Sequence, residues 1–352
     1  MSSPRIRIAF VGAGQMGQAA HLQNYASLRD ECEVVALAES KPQQAAAVAS
    51  RYGIPRVYAS HLELLKQGGF DAIVAAQPFT RHGVLIPDLA KAGVPIFTEK
   101  PIASSIAVAR QILTALDENN TWLMAGYHKR SDPATIYAKQ VIDSWRQSGE
   151  FGKLRYIRIA MPPGDWIAAG FNDNLVFDET IPALESDPPP SDMDEATHQR
   201  YEAFVNYYIH QVNLLRHLLS EDFTVSYADP AGIILVAHSA SGIPCTIEMA
   251  THSTGIDWQE EAFVAFERGH VTLRLPAPLT RNRAGQVEIY HDPKGGTAET
   301  IRPTLPWVDA MRNQALNFIH AVRGEQPAAC LAPEALQDLL AAREYIRLLT
   351  AV

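Results

Sequence analysis

The stretch "RIRIAFVGAGQMG", residues 5–17, joins a short apolar run to three glycines in the spacing G-x-G-x-x-G. The apolar run is typical of a buried strand, and a helical period follows over residues 15–28. In such a unit Gly12 permits a tight turn, Gly14 lets the backbone approach a pyrophosphate, and Gly17 lets the helix pack close to the strand. The stretch therefore predicts a dinucleotide site in which the helix N-terminus attracts the phosphates.

A carboxylate stands where such a site needs one. The second apolar run, "EVVALAE", ends at Glu39, which lies 22 residues after Gly17. A carboxylate at this place binds the ribose 2'-hydroxyl of NAD, and it repels the 2'-phosphate of NADP. Lys41 beside it would attract that phosphate instead. The sequence predicts NAD as the cofactor, with NADP as the less favoured alternative and with Ser40 and Lys41 next to the ribose.

Strands and helices keep alternating up to residue 126. Further apolar runs and helical segments follow one another at residues 43–52, 71–76, 83–92, 94–98, 104–118 and 122–126. Alternation of this kind favours a parallel sheet covered by helices on both faces. We therefore predict an α/β chain whose residues 1–126 form a Rossmann dinucleotide-binding domain.

The pattern changes in residues 127–352. A helix is predicted over 133–147 and a strand over 153–161, and six strand-like runs without long helices between them lie within 224–291. Two helices, over 307–323 and 333–349, end the chain. Strand-like runs separated by turn signals suit an antiparallel sheet. The sequence thus predicts a C-terminal α/β domain with an open, largely antiparallel sheet.

The charge of the chain is concentrated in one segment. The net charge is −9, and residues 162–202 hold ten Asp or Glu residues with Arg200 as the one base. The excess of acid argues against a nucleic-acid partner. We interpret this acidic, Pro-rich insertion as a solvated loop, with an acidic binding surface as the less favoured alternative.

Composition also bears on the compartment. No apolar run approaches the roughly 18 residues of a membrane span, and an early strand leaves no room for a signal peptide. Cys32, Cys245 and Cys330 are odd in number and far apart, so neither disulfides nor a cysteine-based metal site is expected. The sequence predicts a cytoplasmic protein without a metal or a membrane partner.

One predicted helix carries a polar stripe. In "FVNYYIHQVNLLRHLL", residues 204–219, four polar side chains recur at steps of four, three and four on an otherwise apolar helix: Asn206, His210, Asn213 and His217. Buried polar groups need partners, because an unpaired one costs about 1–3 kcal/mol. The stripe is therefore either a satisfied structural seam or the wall of a cavity, and this segment alone leaves both open.

Three further motifs resemble one known family. "FTEKPIA" at residues 97–103, "AAQPFTRH" at 75–82 and "GYHKRSDP" at 126–133 resemble the glucose-fructose oxidoreductase, inositol dehydrogenase and rhizopine-catabolism (Gfo/Idh/MocA) family. The resemblance covers nearly the whole chain. It implies NAD(P)-dependent hydride transfer to or from a secondary hydroxyl of a sugar, cyclitol or related polyhydroxy compound. It also implies a homodimer or homotetramer formed through the sheet of the C-terminal domain.

The resemblance assigns a catalytic pair. In the family the lysine of Glu-Lys-Pro projects into the active site, and its proline commonly follows a cis peptide bond, so Lys100 becomes the electrostatic stabiliser. The family's Asp-x-x-x-His-x-x-Asp helix matches "NYYIHQVN" with His210 as the general base or acid. The two roles can be exchanged, since a desolvated lysine can lose its proton. Both family aspartates are asparagines, so Asn206 is expected to contact the substrate and Asn213 to be structural.

Other residues of these motifs carry weaker predictions. His82 is expected mainly to orient its turn and Arg130 to form either an ion pair or a substrate contact, while His217 is expected to be structural. Tyr127 and His128 lie near the end of the first domain, and Trp166 with Asp165 could reach the pocket or pack the loop. The predicted substrate contacts are Asn206, Arg130, Tyr127 and Trp166. The predicted cofactor contacts are Gly12, Gly14, Gln15, Met16, Gly17, Glu39, Ser40, Lys41, Gln77, Pro78, His82, Glu99 and Lys100.

Two alternative functions remain open at this point. Some members of the family keep NAD bound and use transient oxidation to cleave or rearrange a glycosidic bond. Others bind a dinucleotide without catalysis and regulate partners. The presence of Lys100 and His210 favours an enzyme.

Overall fold

The computed structural model describes residues 4–181 and 183–351, and the chain divides into two compact units. The first unit contains the residues up to Tyr127 together with two later segments, 169–193 and 311–336. The intervening residues and those from 337 onward form the second unit. The sequence-based boundary at residue 126 differs from this division, because it assigned both later segments to the C-terminal domain. Neither segment carries a sequence motif that indicates packing against the first unit.

The first unit is built on a six-stranded parallel sheet in the order β3-β2-β1-β4-β5-β6. Its strands are β1 Ile6–Val11, β2 Cys32–Ala38, β3 Arg56–Tyr58, β4 Ala72–Ala75, β5 Ile96–Glu99 and β6 Leu123–Gly126. The central strands are almost entirely buried, as the continuous apolar runs predict for a sheet covered on both faces. The strand order reverses between β1 and β4, which is where an open α/β sheet presents ligands. The predicted Rossmann fold is confirmed.

Helices connect these strands. A π-helical segment, Gly17–Leu22, leads into α1 Gln23–Ser27, and the following helices are α2 Pro42–Tyr52, α3 His61–Gln67, α4 His82–Ala90 and α5 Ile106–Glu118. The sequence analysis missed β3 and α3. β3 has three residues and no buried one, and α3 is a short helix that begins where the Ser60 hydroxyl accepts a hydrogen bond from the Glu63 backbone N–H at 3.2 Å.

The second unit contains an eight-stranded sheet in the order β14-β13-β12-β11-β7-β10-β9-β8. Its strands are β7 Leu154–Ala160, β8 Phe223–Ala228, β9 Ile234–Ser239, β10 Pro244–Glu248, β11 Glu261–Phe266, β12 Gly269–Arg274, β13 Gln286–His291 and β14 Glu299–Ile301. All neighbours pair antiparallel except β7 and β10. This confirms an open, largely antiparallel sheet. β14 was not predicted because its three residues are all exposed and show no alternation.

Helices accompany this sheet, and one prediction about the first three of them is wrong. They are α6 Pro133–Ser148, α7 Glu195–Tyr207 and α8 Ile209–Leu219. The single helix expected over 204–219 is broken at Tyr208, whose φ of −98° and ψ of −2° depart from a regular helix. The polar stripe is therefore divided, with Asn206 exposed near the end of α7 and the other three residues on α8. Neither Pro nor Gly marks the break, so periodicity could not detect it.

The last two helices are α9 Ala310–Val322 and α10 Ala332–Thr350, close to their predicted bounds. α9 packs into the core of the first unit, where the Phe318 ring lies 5.8 Å from the rings of both Phe97 and Trp122. Among the helices of residues 4–181 and 183–351, none has the length and apolar character needed to cross a membrane.

Candidate functional site

The glycine turn after β1 has the geometry of a phosphate-binding loop. Gly12 has φ +93°, and a Cβ atom there would lie 2.6 Å from the carbonyl oxygen of Ala76. A Cβ atom on Gly17 would lie 2.6 Å from the Gly12 carbonyl oxygen, so only glycine permits this close approach of helix and strand. A Cβ atom on Gly14 would meet nothing within 4 Å. The turn thus leaves open, exposed backbone at Gly14, which fits a dinucleotide pyrophosphate.

Glu39 connects the glycine turn to the start of α2. Its Oε2 accepts a hydrogen bond from the Ala13 backbone N–H at 2.7 Å, and its Oε1 accepts one from the Lys41 backbone N–H at 3.1 Å. Two buried glutamines stabilise the turn, because Gln18 Nε2 and Gln44 Nε2 donate hydrogen bonds to the Ala13 carbonyl oxygen at 2.8 and 2.7 Å. Neither glutamine was predicted from the sequence, although each is a polar residue at a buried helix position. The Glu39 carboxylate therefore lies beside the turn, as the ribose-binding role requires.

Glu99, which precedes the predicted catalytic lysine, is held by a residue that the sequence analysis missed. The Glu99 Oε1 lies 2.6 Å from Nε2 of the buried His21, and Glu99 Oε2 accepts a hydrogen bond from the Lys100 backbone N–H at 3.1 Å. Burial alone would raise the pKa of Glu99, but the hydrogen bond and charge of His21 lower it below its ordinary value. The Lys100–Pro101 peptide bond is cis, as the resemblance implied. Glu99 thereby fixes the backbone at the carboxyl end of β5, where Lys100 stands.

His82 is fully buried and joins two loops at the same edge of the sheet. Its Nε2 lies 3.2 Å from the carbonyl oxygen of Gln77 and 3.1 Å from the Thr98 hydroxyl, and its Nδ1 lies 3.0 Å from the carbonyl oxygen of Ile102. Burial lowers the pKa of His82 and favours the neutral ring. These contacts favour the role of orienting the turn, in which Gln77 is half-buried and Pro78 is exposed.

The acidic insertion is largely a solvated loop, as its composition suggested: residues 169–181 and 183–193 form neither helix nor strand, and most of them are exposed. These residues nevertheless group with the first unit, and a helix begins at Glu195. Two of its carboxylates, those of Glu179 and Asp187, accept hydrogen bonds from backbone N–H groups at the starts of α2 and α4. Composition could not predict this, because the donors are backbone groups distant in sequence.

In the second unit, His210 lies in the first turn of α8 and is half-buried. The His128 ring meets it edge-on, with 4.6 Å between the ring centroids and 74° between the ring planes. The structure therefore places the histidine that follows Tyr127 next to the predicted general base. Imidazole is the side chain whose ordinary pKa suits proton exchange near neutral pH.

Asn213 and Arg130 belong to a buried polar network. Arg130 Nε donates to Asn213 Oδ1 at 2.7 Å, and Asn213 Nδ2 donates to Oδ2 of Asp338 at 2.8 Å. The fully buried Asp338 carboxylate also forms an ion pair with Arg216. Of the two roles left open for Arg130, these contacts favour the structural one, and they support the structural role expected of Asn213. Asp338 lies 125 residues from Asn213, and no sequence signal indicated it.

A second buried cluster surrounds Glu260. Lys129 forms an ion pair with Glu260, Gln211 Nε2 donates to Glu260 Oε1 at 2.9 Å, and Trp258 Nε1 donates to Glu260 Oε2 at 3.2 Å. Glu260 and Trp258 also line a cavity of 660 Å³ in the second unit, together with Asp165. This cavity offers carboxylates and an indole ring, which are groups that can contact a polyhydroxy compound.

The remaining predicted residues are less informative. Tyr127 is buried at the end of the first unit, and Trp166 is half-buried, with its backbone carbonyl accepting a hydrogen bond from Leu279. Burial, aided by the charges of Arg130 and Lys139, lowers the pKa of His217 to about 3, which agrees with a structural histidine. Over the described part of the chain, no group of three or more His, Cys, Asp or Glu side chains is arranged to hold a metal ion.

The chain is similar to known oxidoreductases. Residues 6–127 match the GFO_IDH_MocA family model, described as an oxidoreductase family with an NAD-binding Rossmann fold. The chain is 27% identical over 322 residues to inositol 2-dehydrogenase 1 of Saccharopolyspora erythraea, which covers 87% of this chain and 86% of that one.

Two solved structures share the fold over nearly the full length. One is a putative myo-inositol dehydrogenase from Sinorhizobium meliloti, with a TM-score of 0.68, 22% identity and 98% coverage of both chains. The other is a putative NADPH-dependent oxidoreductase from Desulfitobacterium hafniense, with a TM-score of 0.75, 14% identity and coverage of 97% of this chain and 95% of that one. The family model, together with the glycine turn, Glu39 and the Glu-Lys-Pro segment, shows that residues 6–127 form an NAD-binding Rossmann domain of the Gfo/Idh/MocA type, and the two solved structures show that the whole chain shares their fold.

Proposed function

We propose that this protein is an NAD-dependent dehydrogenase that moves hydride between nicotinamide and a secondary hydroxyl of a sugar, cyclitol or related polyhydroxy compound. The observation that carries the proposal is the position of Lys100 at the carboxyl end of β5, in the unit that also holds the glycine turn and Glu39. The similarity to inositol 2-dehydrogenase over most of both chains supports a polyol as the substrate. In this proposal the first unit binds the dinucleotide, and the second unit binds the substrate.

We further propose NAD rather than NADP as the cofactor. The Glu39 carboxylate is held beside the glycine turn by the Ala13 backbone N–H. A carboxylate there accepts a hydrogen bond from a ribose hydroxyl, and it repels a phosphate by like charge.

The two proposed catalytic residues do different work on the hydroxyl group. A bound nicotinamide supplies the hydride acceptor. The Lys100 ammonium stabilises the negative charge that develops on the substrate oxygen, and His210 accepts the hydroxyl proton. The exchange of these two roles is the alternative assignment.

Substrate contacts are proposed for two residues of the second unit that have polar or aromatic side chains. Asn206 is exposed near the end of α7, and Trp166 is half-buried in the loop after β7. The amide of Asn206 can hydrogen-bond a hydroxyl group, and the indole of Trp166 can pack on an apolar ring face. Tyr127 is proposed as a contact near the nicotinamide, whereas Arg130 acts by holding Asn213.

The proposal is tested by incubating the purified protein with NAD and a panel of inositols, sugars, sugar acids and glycosides. Absorbance of the reduced nicotinamide is followed, and the products are identified. We expect NAD-dependent oxidation of at least one polyol and a turnover lower by orders of magnitude with the Lys100→Met variant. Cleavage of a glycoside without release of reduced nicotinamide would instead support the transient-oxidation alternative, and inactivity on the whole panel would contradict the proposal.

We also propose that the protein is a homodimer or homotetramer formed through the sheet of the second unit. One face of that sheet carries a row of half-buried aromatic side chains, with ring centroids 5.0 Å apart for Phe263 and His270 and 5.3 Å apart for His270 and Tyr290. A continuous, half-buried row of aromatic rings of this kind favours association. Light scattering should give a multiple of 38.7 kDa, and the monomer mass at micromolar concentration would contradict the proposal.

A further inference from the structure

The acidic segment, of which residues 169–181 and 183–193 are described, groups with the first unit and contacts loops that follow its parallel strands. It carries six acidic and no basic side chains. At one end the Leu175 backbone N–H donates to Gln18 Oε1, and Gln18 Nε2 donates to the Leu175 carbonyl, both at 2.9 Å. Asn174 Nδ2 donates to the Gln15 carbonyl at 3.1 Å. This end is therefore tied to the glycine turn and the helical segment that follows it.

The other end of the acidic segment is tied to the start of α4. The Asp187 carboxylate accepts hydrogen bonds from the backbone N–H groups of Gly83 and Val84 at 3.1 and 3.0 Å, and from the Ser104 hydroxyl at 3.3 Å. A Cβ atom on Gly83 would lie 2.7 Å from Asp187 Oδ1, so the carboxylate sits directly against the backbone. With both ends anchored, residues 176–181 and 183–186 between them are constrained in position.

Glu179 lies between these anchors and caps α2. Its two carboxylate oxygens each accept one backbone N–H, from Gln43 and from Gln44, both at 2.9 Å. The residue at the N-cap position of α2 is Lys41, which makes no capping hydrogen bond with its side chain. Glu179 thus supplies the negative charge that the helix N-terminus attracts, from a position 135 residues away in the sequence.

The turn between β2 and α2 is consequently bounded by two carboxylates. Glu39 Oε1 accepts from the Lys41 N–H and from the Ser40 hydroxyl, at 3.1 and 3.3 Å, and Glu179 occupies the first N–H groups of the helix that follows. A phosphate on the ribose 2'-oxygen would have to bind in this turn, because Glu39 marks the position of the ribose hydroxyls. The N–H groups that would best bind this phosphate already bind Glu179.

We infer that Glu179, which lies outside the Rossmann motif, is a specificity-determining residue that excludes NADP from the site. It acts by occupying the α2 N-terminus and by presenting a like charge to the 2'-phosphate. This inference rests on the dinucleotide site of the proposed function, but it concerns binding alone and needs no turnover.

The test measures the affinities of NAD and NADP by calorimetric titration for the unaltered protein and for Glu179→Ala and Glu179→Gln. We expect the ratio of the NADP dissociation constant to that of NAD to fall roughly tenfold in Glu179→Ala, through tighter NADP binding. Glu179→Gln keeps the size of the side chain and one acceptor, and it should shift the ratio in the same direction by a smaller factor. NAD affinity should change by less than about twofold, because Glu39 and the glycine turn are untouched.

Glu185→Ala is the matched control. It removes one negative charge from the same segment, but Glu185 is exposed and contacts Arg81 through its backbone carbonyl. We expect the ratio to stay unchanged in this variant. An unchanged ratio in both Glu179 variants, or an equal shift in Glu185→Ala, would overturn the inference. A protein that binds NAD more tightly than NADP but transfers no hydride would count against the proposed function alone. A protein that binds neither dinucleotide would overturn both the proposed function and the role of Glu179.

Discussion

The glycine turn of the first unit and the polar network on α8 of the second unit are both built from hydrogen bonds, but their partners lie at very different distances along the sequence. Glu39 contacts Ala13, 26 residues away. Asn213 contacts Arg130, 83 residues away, and Asp338, 125 residues away. The first arrangement follows from one strand-turn-helix unit, whereas the second exists only after distant segments have packed. A local motif therefore reveals its chemistry in the sequence, and a network assembled by packing does not.

The largest expected effect comes from breaking the network of the second unit. Replacing Asp338 by Ala leaves the buried Arg216 and Asn213 without this carboxylate, so the free energy of unfolding should fall by about 3–5 kcal/mol. Urea unfolding followed by circular dichroism measures this change. Asp222→Ala is the control, since Asp222 is exposed and 3.9 Å from Arg216, and it should cost under about 1 kcal/mol. If both variants lose the same free energy of unfolding, the buried network contributes no more to stability than an exposed ion pair.

The next largest effect concerns the motif of the first unit. Lys100→Met should lower turnover by about 10²–10³-fold, because the charge that stabilises the developing alkoxide is lost. The NAD dissociation constant should stay nearly the same, since the glycine turn and Glu39 hold the nucleotide. Steady-state kinetics and calorimetry separate the two quantities. Lys91→Met, at an exposed lysine of the same unit, is the control. Turnover within a few fold of the unaltered enzyme would remove Lys100 from the catalytic assignment.

A smaller effect distinguishes structural from catalytic histidines on α8. The pKa of His217 is lowered from the ordinary value of 6.5 to about 3 in the folded protein. Between these two pH values the unfolded state therefore binds a proton on this ring that the folded state does not bind. Stability should therefore fall as the pH falls, by about 2 kcal/mol between pH 6.5 and pH 5 from this residue. His217→Gln should remove that part of the acid sensitivity in urea unfolding series.

The contribution of His217 to the pH dependence of stability must be separated from that of Asp132, whose pKa is raised to about 6 by burial. Asp132 works in the opposite direction, because its protonation stabilises the folded state as the pH falls below about 6. The difference between the unaltered protein and His217→Gln isolates the histidine, since Asp132 is present in both. His238→Gln, at an exposed histidine of β9, is the control. Parallel pH curves for the unaltered protein and His217→Gln would contradict the prediction.

The smallest effect tests a purely local feature. The Ser105 hydroxyl accepts a hydrogen bond from the Val108 backbone N–H at 3.2 Å and caps α5. Ser105→Ala should lower the free energy of unfolding by about 1 kcal/mol. Ser50→Ala, on the exposed face of α2, should cause no loss, because Ala is the better helix former there. A loss in Ser105→Ala as large as that in Asp338→Ala would erase the distinction between local and packed contacts.

These contrasts explain how much the sequence could predict. The parallel sheet, the glycine turn and Glu39 follow from periodicity and spacing, because each depends on neighbours within a few dozen residues. His21 was missed because its partner, Glu99, lies 78 residues further along the chain. The break at Tyr208 was missed because helical periodicity continues on both sides of it. Glu179 and Asp187 were missed because backbone N–H groups, which carry no sequence signature, are their partners.

The place of α9 in the core of the first unit has a consequence for biosynthesis. Phe318 packs against Phe97 and Trp122, yet the ribosome adds it 221 and 196 residues after them. A nascent chain that has released all six parallel strands still exposes the apolar surface that this helix covers. The first unit therefore completes its core only after α9 has been translated, and until then the growing chain is exposed to aggregation and to chaperone binding.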